Sequence, residues 1–396
     1  VSDAPARPLP LQGVLVLDLG QIYQGPYAGL LLAMAGARVI KVERRGGEPL
    51  RGRGPSLPYV MLNSTKEAVT VDLKKPEGVE LVRRLAAKAH VVLVNQAPGV
   101  PERLGIGYDS LRSVNPRLVY AHATGFGLDG GEDSPLAMDL TVQAHMGVMS
   151  VTGFPDREPV KSGAAFIDFL GGTHLYGAIV TALFEVASTG QGRLVDISMA
   201  DATYATLCSA LGSWYSTGET PRTGNKHAAM GVAPYGVYEC SDGHVALNAV
   251  TNRHWRSILA VIERSDLIDD ARYADNRDRV ANMAEVDGLI TGWTATRPRD
   301  EVAAALQAAH VPAAAVRTVD EVVNDEDQHR RGALNWVEHP DLGRVPLPRS
   351  PAHYHGSAPR PVEPSRPLGA DNEAVYGELL GLTAAEVASL GEREII

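Results

Sequence analysis

The sequence predicts an α/β protein: a large domain built on a parallel sheet, joined to a smaller α/β domain. Three observations predict it. Short apolar runs alternate with Leu/Ala-rich segments through the first half of the chain. This is the rhythm of β-α-β units, whose crossovers set strands parallel. The character changes near residue 215, where STGETPRTGNK (216–226) is polar and turn-rich, and a hairpin pattern follows. Finally, 396 residues with 44% hydrophobic and 21% charged side chains suffice for a large core and two lobes.

Each element follows in order. After a Pro-rich opening, Val14 to Leu19 (VLVLDL) reads as a buried parallel strand. Pro26 suits the first turn of a helix, where its missing N–H needs no partner. Tyr27 to Ala35 is that helix, and Gly36 stops it. Val39 to Val42 is a second strand, Val69 to Leu73 a third, and Pro76 to Lys88 a helix. Val91 to Val94 and Leu118 to His122 are further strands. Ala164 to Ala187 is long and apolar and reads mostly as one buried helix. Leu194 to Ser198 is a strand leading into an Ala-rich helix from Ala200. Tyr235 to Glu239 and Val245 to Ala249, joined by Ser241-Asp242-Gly243, form a hairpin. Two helices with acidic caps follow, up to about residue 309. The expected division is 1–221 for the N-terminal part of the large domain, 222–325 for the small domain, and 326–396 for a C-terminal segment. That segment is Pro-rich and irregular from about residue 335, with helical stretches at Asn372–Leu380 and Ala384–Leu390.

Composition excludes several function classes. A net charge of −10, from 37 basic and 47 acidic residues, gives no general electrostatic reason to bind nucleic acid. Cys208 and Cys240 are the only cysteines; one disulfide is arithmetically possible, but no disulfide scaffold or metal-binding cysteine cluster. The cytoplasm is the expected compartment. VSDAPARPLPLQG lacks a basic region before an apolar run, and no run of 18 uncharged apolar residues occurs, so neither a secretory signal nor a membrane span is expected. Walker A, G-x-S-x-G and H-E-x-x-H are absent. His353 and His355 lack an evident third ligand and read as surface histidines, so no metal is expected.

The loop GQIYQGP follows a strand and opens a helix, a context that offers free backbone N–H groups to an anion or serves simply as a turn. Glu43 closes the second strand, where a ribose-binding acid sits in nucleotide-binding units, but G-x-G-x-x-G is missing, which disfavours a NAD enzyme. Asp168 lies in SGAAFIDFLGG among apolar residues. A carboxylate there must be paired, hydrogen-bonded or functional. It can be a nucleophile toward an activated acyl group or an N-cap whose environment keeps it charged. Arg44, Arg45, Lys66 and Arg103 fall near strand ends, as phosphate or adenine contacts or as solvated surface charges.

The order of motifs resembles the class III CoA-transferases, the CaiB/BaiF family. The resemblance is carried by LQGVLVLDLG, GARVIKVER, VDLKKPEG, APGVPERLGIGYDSLRSVNPRLVYAHATGFG, MDLTVQAHMGVMSVTG, SGAAFIDFLGGTHLYGAIVTALFEVASTGQGRLVDISMAD and APYGVYECSDGHVAL. It implies a Rossmann-like large domain completed by the returning C-terminal segment, plus the small domain. It also implies a homodimer whose two ring-like subunits interlock. The implied activity is transfer of CoA from an acyl-CoA thioester to a small carboxylic acid, with CoA as substrate and no tightly bound cofactor. Asp168 matches the family's nucleophile, which passes through an aspartyl mixed anhydride and an aspartyl-CoA thioester. The neighbouring Gly171-Gly172 is expected to leave room for the pantetheine arm and to offer N–H donors to an oxyanion. Arg44, Lys66, Asn95 and Arg103 match CoA-handling positions, with Glu67 in place of an arginine.

The resemblance also covers 2-methylacyl-CoA racemases, which need acid/base groups on both sides of an α-carbon. Met138 stands where that branch carries histidine, and Thr251 or Asn252 where it carries glutamate. The transferase is therefore the preferred reading. The alternatives are a racemase or a CoA-binding paralogue without turnover. A first-loop glutamine marks the formyl-CoA:oxalate branch; Tyr23 takes its place here, with Gln21 and Gln24 adjacent, which argues against oxalate/formate specificity. The acyl donor and acceptor are left open; succinate or another dicarboxylate is one candidate, with Arg222, Lys226 or His227 as charges for its distal carboxylate.

Overall fold

A computed structural model describes residues 7–51, 56–130 and 135–396. The chain divides into two compact units. The first takes in Val1–Val142, Ala164–Tyr204 and Asp325–Ile396; the second takes in Gln143–Gly163 and Ala205–Asn324. Residues 143–163 and 205–221, assigned from sequence to the large domain, thus fall in the second unit.

The first unit holds a parallel sheet of β1 (Leu15–Asp18), β2 (Arg38–Glu43), β3 (Glu67–Thr70), β4 (Val91–Val94), β5 (Val119–Thr124) and β6 (Leu194–Ser198), in the order β3-β2-β1-β4-β5-β6. The strands are apolar runs because helices cover both faces. Successive side chains go to opposite sides. Leu15 and Leu17 join a core with Leu81 and Leu85 of the Pro76–Ala86 helix and with Val375 and Leu390 near the C-terminus. Val16 joins Ala28 and Leu32 of the first helix, Gln24–Met34, and Leu175 and Ile179 of the long helix, Phe166–Thr189, on the other side.

The long helix begins at Phe166 rather than at Ala164. By length and composition it alone among the described residues is apolar enough to cross a membrane; here it packs on the first helix, β5 and β6. Its buried residues, which include Gly171, Leu175, Ile179, Ala182 and Val186, form a single stripe, whereas a helix apolar on every side is normally covered all round.

The C-terminal segment finishes β3, an edge strand. Asp371 Oδ2 accepts the Ala68 N–H at 2.8 Å, and Asn372 Oδ1 accepts the Thr70 N–H at 2.9 Å. These side chains occupy donors that would otherwise invite another strand. The helices Asn372–Leu380 and Ala384–Glu392 follow. The stretch after residue 335 is not wholly irregular: β10 (Leu334–His339) and β11 (Gly343–Pro348) pair antiparallel.

The second unit contains an antiparallel sheet, β7 (Tyr235–Cys240), β8 (Gly243–Asn248) and β9 (Ala313–Ala315). Its core includes Trp255, Ile258, Val286, Ile290 and Leu306. Both cysteines are free thiols.

Candidate active site

In an open α/β sheet, ligands bind beyond the carboxyl ends of the strands, where the order reverses. Here the reversal lies between β1 and β4. A cavity of about 360 Å³ opens there. It is lined by Gln21, Ile22 and Gln24 after β1, Asn95–Pro98 after β4, Thr124–Gly127 at the end of β5, Met199 after β6, and Pro135–Met138. Asp168 completes the wall and is the only ionisable side chain among the described lining residues.

Asp168 is the third residue of the long helix and only 8% exposed. Its side chain has no hydrogen-bond partner among the described residues. It does not cap its helix. Asp139 does so, its Oδ2 accepting the N–H groups of Ile167 at 2.9 Å and Asp168 at 3.1 Å. Burial, and then repulsion from Asp139, push the Asp168 carboxyl up to about 7. The expected charge-keeping effect of the helix start is therefore outweighed. The result is a carboxyl that ionises near neutrality and faces a cavity without a partner, as a nucleophile requires.

The first loop is held under strain. Ile22 has φ +64°, a region that β-branched residues avoid, at a cost of about 1–3 kcal/mol. Several anchors hold the loop there. Asn95 Oδ1 accepts the Gln21 N–H at 2.7 Å, and Asn95 Nδ2 donates to the Gln21 carbonyl at 2.8 Å. Asp18 Oδ1 accepts the Gly20 N–H at 2.8 Å, and Glu48 Oε2 accepts the Ile22 N–H at 3.2 Å. Asn95 thus lines the cavity as the brace of this loop.

Lys66 requires a correction. It is 3% exposed, and its ammonium donates to Asp18 Oδ2 at 2.7 Å, the Pro26 carbonyl at 2.8 Å and Asn63 Oδ1 at 3.1 Å. All three N–H donors are spent inside the protein, leaving none for a CoA phosphate. Burial and the nearby Lys41 drive the Lys66 ammonium down to about 8, although Asp18 pulls the other way. Burial would raise Asp18, but Lys66 and Lys41 together hold it below its usual range. Gly29 permits this pair, since a Cβ there would lie 2.5 Å from Asp18 Oδ2.

Arg44 and Arg103 are exposed, Arg44 just beyond β2 and Arg103 at the end of the Val100–Arg103 helix after β4. Arg44 Nε donates to the Gly47 carbonyl at 2.6 Å. Neither arginine lines the cavity that holds Asp168. Glu67 pairs with Arg38 at 2.8 Å.

Gly171 and Gly172 also differ from expectation. Both lie inside the long helix, where their N–H groups bond to carbonyls one turn back. They make room for the first helix: a Cβ on Gly171 would lie 2.6 Å from Gln24 Nε2, and one on Gly172 2.6 Å from the Gln24 carbonyl oxygen. Phe169 beside them packs against Tyr23 and Tyr27, with ring centroids at 5.9 and 4.9 Å. Sequence reasoning noted Gln24 only as a neighbour of the first-loop position and Asp139 only as the acid left from a racemase pair, and gave neither its place in this site. The signal for Gln24 lay in its place beside Gly25-Pro26; that for Asp139 lay in an acid opening a helix.

In the second unit, Arg222 donates to the carbonyls of Phe154 at 3.2 Å and Arg157 at 2.7 Å. Lys226 pairs with Asp287, and the His227 ring packs edge-on against Tyr235.

Known proteins resemble this chain over nearly its whole length. A family model described as CoA-transferase family III matches residues 11–372. A succinate–glutarate CoA-transferase of Agrobacterium fabrum is 33% identical, over 96% of this chain and 98% of its own. A succinyl-CoA–D-citramalate CoA-transferase of Chloroflexus aurantiacus is 34% identical over 100% of both. The crystal structure of a CaiB/BaiF family protein from Brucella suis superposes with a TM-score of 0.83 at 32% identity, covering 94% of this chain and 100% of that one. With sequence, fold and a full-length family match in agreement, the chain belongs to CoA-transferase family III.

Proposed function

We propose that this protein moves CoA from an acyl-CoA to a carboxylic acid, with Asp168 as covalent nucleophile. The observation that carries this reading is a buried, unpartnered carboxyl at the switch point of the sheet, in a cavity with no other ionisable lining residue among those described. The Asp168 carboxylate attacks the thioester carbonyl carbon; the C–S bond breaks, and CoA leaves as thiolate with the electron pair. The thiolate attacks the aspartyl carbonyl of the mixed anhydride, the anhydride C–O bond breaks, and the donor acid leaves as carboxylate. The acceptor carboxylate attacks the aspartyl-CoA thioester and again releases thiolate. The thiolate then takes the acceptor's acyl carbon and frees Asp168. No net proton or electron is consumed, and the energy of the thioester is kept as long as water is excluded.

The names of the Agrobacterium and Chloroflexus relatives support dicarboxylates of four or five carbons as substrates. Arg44 and Arg103, exposed cations beyond β2 and β4, are assigned to the CoA phosphates and adenine. Proton exchange at an α-carbon is disfavoured, because Met138 lines the cavity and a thioether holds no exchangeable proton. Thr251 is spent as a helix cap, accepting the His254 N–H at 3.1 Å. The working form is assigned as an interlocked homodimer in the cytoplasm. The bare side of the long helix supports the dimer, with Phe184 79% exposed. So does the Cys208–Thr217 helix of the second unit, where Trp214 is 60% and Tyr215 86% exposed.

The test is trapping. With succinyl-CoA and no acceptor, the protein should accumulate an ester-level adduct that hydroxylamine converts to a hydroxamate on Asp168 in a peptide map. Asp168→Asn should keep CoA binding while losing both the mark and CoA exchange into glutarate. Full exchange by that variant, without deamidation, would refute the mechanism.

A further inference from the structure

Gln24 is the first residue of the first helix and only 3% exposed, and its side chain lines the same cavity as Asp168. Its Nε2 is buried and meets no acceptor among the described residues. A buried amide N–H₂ without an acceptor is costly to keep, so a native structure that keeps one calls for an explanation. The position of this amide supplies it. Nε2 lies 2.6 Å from where a Cβ of Gly171 would be. Gly171 is three residues after Asp168 on the same helix, and residues so spaced are surface neighbours, with Cβ positions about 5–6 Å apart. The amide therefore sits one helical turn from the carboxyl that would carry the acyl group.

The backbone donors of the long helix beside Asp168 are already engaged. The N–H groups of Ile167 and Asp168 are given to Asp139. Those of Gly171 and Gly172 lie within the helix and bond one turn back. No cationic side chain is among the described residues that line the cavity. Attack of Asp168 on a thioester turns the acyl carbonyl oxygen into an oxyanion, which needs a donor at that moment.

We propose that the Gln24 carboxamide is that donor: it hydrogen-bonds the acyl carbonyl oxygen as Asp168 adds to the adjacent carbon, the C–O bond forms and the C–S bond breaks. Gln24 is itself a lining residue of the cavity. Gly171 is glycine because any side chain there would displace this amide. The inference rests on the transferase reading above and adds to it a catalytic residue on the first helix.

The experiment uses the full-length protein with succinyl-CoA as donor and glutarate as acceptor. Gln24→Ala should lower kcat for CoA exchange by about 10²–10³-fold, the usual cost of one oxyanion donor. KM for succinyl-CoA should move by less than threefold. The hydroxylamine mark on Asp168 should appear correspondingly more slowly in a single turnover. Gly171→Ala, which suits a helix and only crowds the amide, should slow exchange at least tenfold with the same split between kcat and KM. Exchange by Gln24→Ala within twofold of the unsubstituted protein would overturn the proposal, as would a full rate in Gly171→Ala should the first variant not fold. Failure of the unsubstituted protein to exchange or to take the Asp168 mark would instead overturn the transferase reading, and this assignment with it. A marked, exchanging protein whose Gln24 variants are unimpaired would remove Gln24 alone.

Discussion

Asp168 stores a conflict between stability and chemistry. Its carboxyl is held near 7, against 3.8 for the free side chain. Between these values the folded protein binds a proton that the unfolded chain has given up, so stability falls as pH rises from about 4 to 7. The loss amounts to a few kcal/mol, at about 1.36 kcal/mol per unit. Asp168→Asn should therefore raise the thermal midpoint at pH 8 and leave it nearly unchanged at pH 4, as calorimetry at the two values can show. Exchange by the unsubstituted protein should rise with pH through about 7, as the nucleophile ionises. Lys66 illustrates the opposite case. Lys66→Met would leave the Asp18 carboxylate buried without its main partner, a loss of about 3–5 kcal/mol. Urea unfolding should show this at pH 7, and a smaller loss in acid, because without Lys66 burial raises the Asp18 carboxyl and lets it take up a proton. Asp168 was legible in the sequence because its apolar neighbours and the glycine pair are local. Lys66 was misplaced because Asp18 lies 48 residues away in sequence. A lysine's neighbours in sequence do not reveal that its charge is buried.

At the scale of elements, periodicity located the strands well, because β1, β4 and β5 are continuous apolar runs buried on both faces. It misjudged β10–β11. Pro346 and Pro348 argue against a strand, yet in a two-stranded ribbon the proline side can face away from the partner, and Trp336 sits opposite Pro346. The edge of β3 was equally hidden, since the groups that finish it come from the C-terminal segment. Asn372 accepts the Thr70 N–H and donates through Nδ2 to Thr70 Oγ1 at 2.8 Å. Asn372→Ala leaves a buried backbone donor unpaired, so a stability loss of about 1–3 kcal/mol is expected in a denaturant titration. Asn372→Asp, which keeps the acceptor for that N–H, should recover part of it.

For the whole molecule, the strand order places the cavity without reference to any one residue. The loops after β1 and β4 diverge, and the space between them is where Asp168, on the far longer helix after β5, meets the strained first loop. The sequence showed the strands and the candidate nucleophile. It did not show which loops share the cavity, because that depends on the spatial order of the strands. Apolar surface left open on each unit, Phe184 on the first and Tyr215 on the second, leads to the expectation of a dimer in solution. Light scattering at dilute protein should return about twice 42.2 kDa; a mass near 42.2 kDa would leave those surfaces without a cover.

The finished edge of β3 has a consequence for how the protein is made. Thr70 and the residue that protects it, Asn372, are 302 positions apart. A ribosome adding about 5–20 residues per second needs roughly 15–60 s to cover that distance. Throughout that interval the nascent sheet has a bare strand at its margin, and neighbouring chains on the same message can add to it. A chain cut short before residue 371 never closes that margin, so such fragments should be recovered in inclusion bodies even though every strand of the sheet is present.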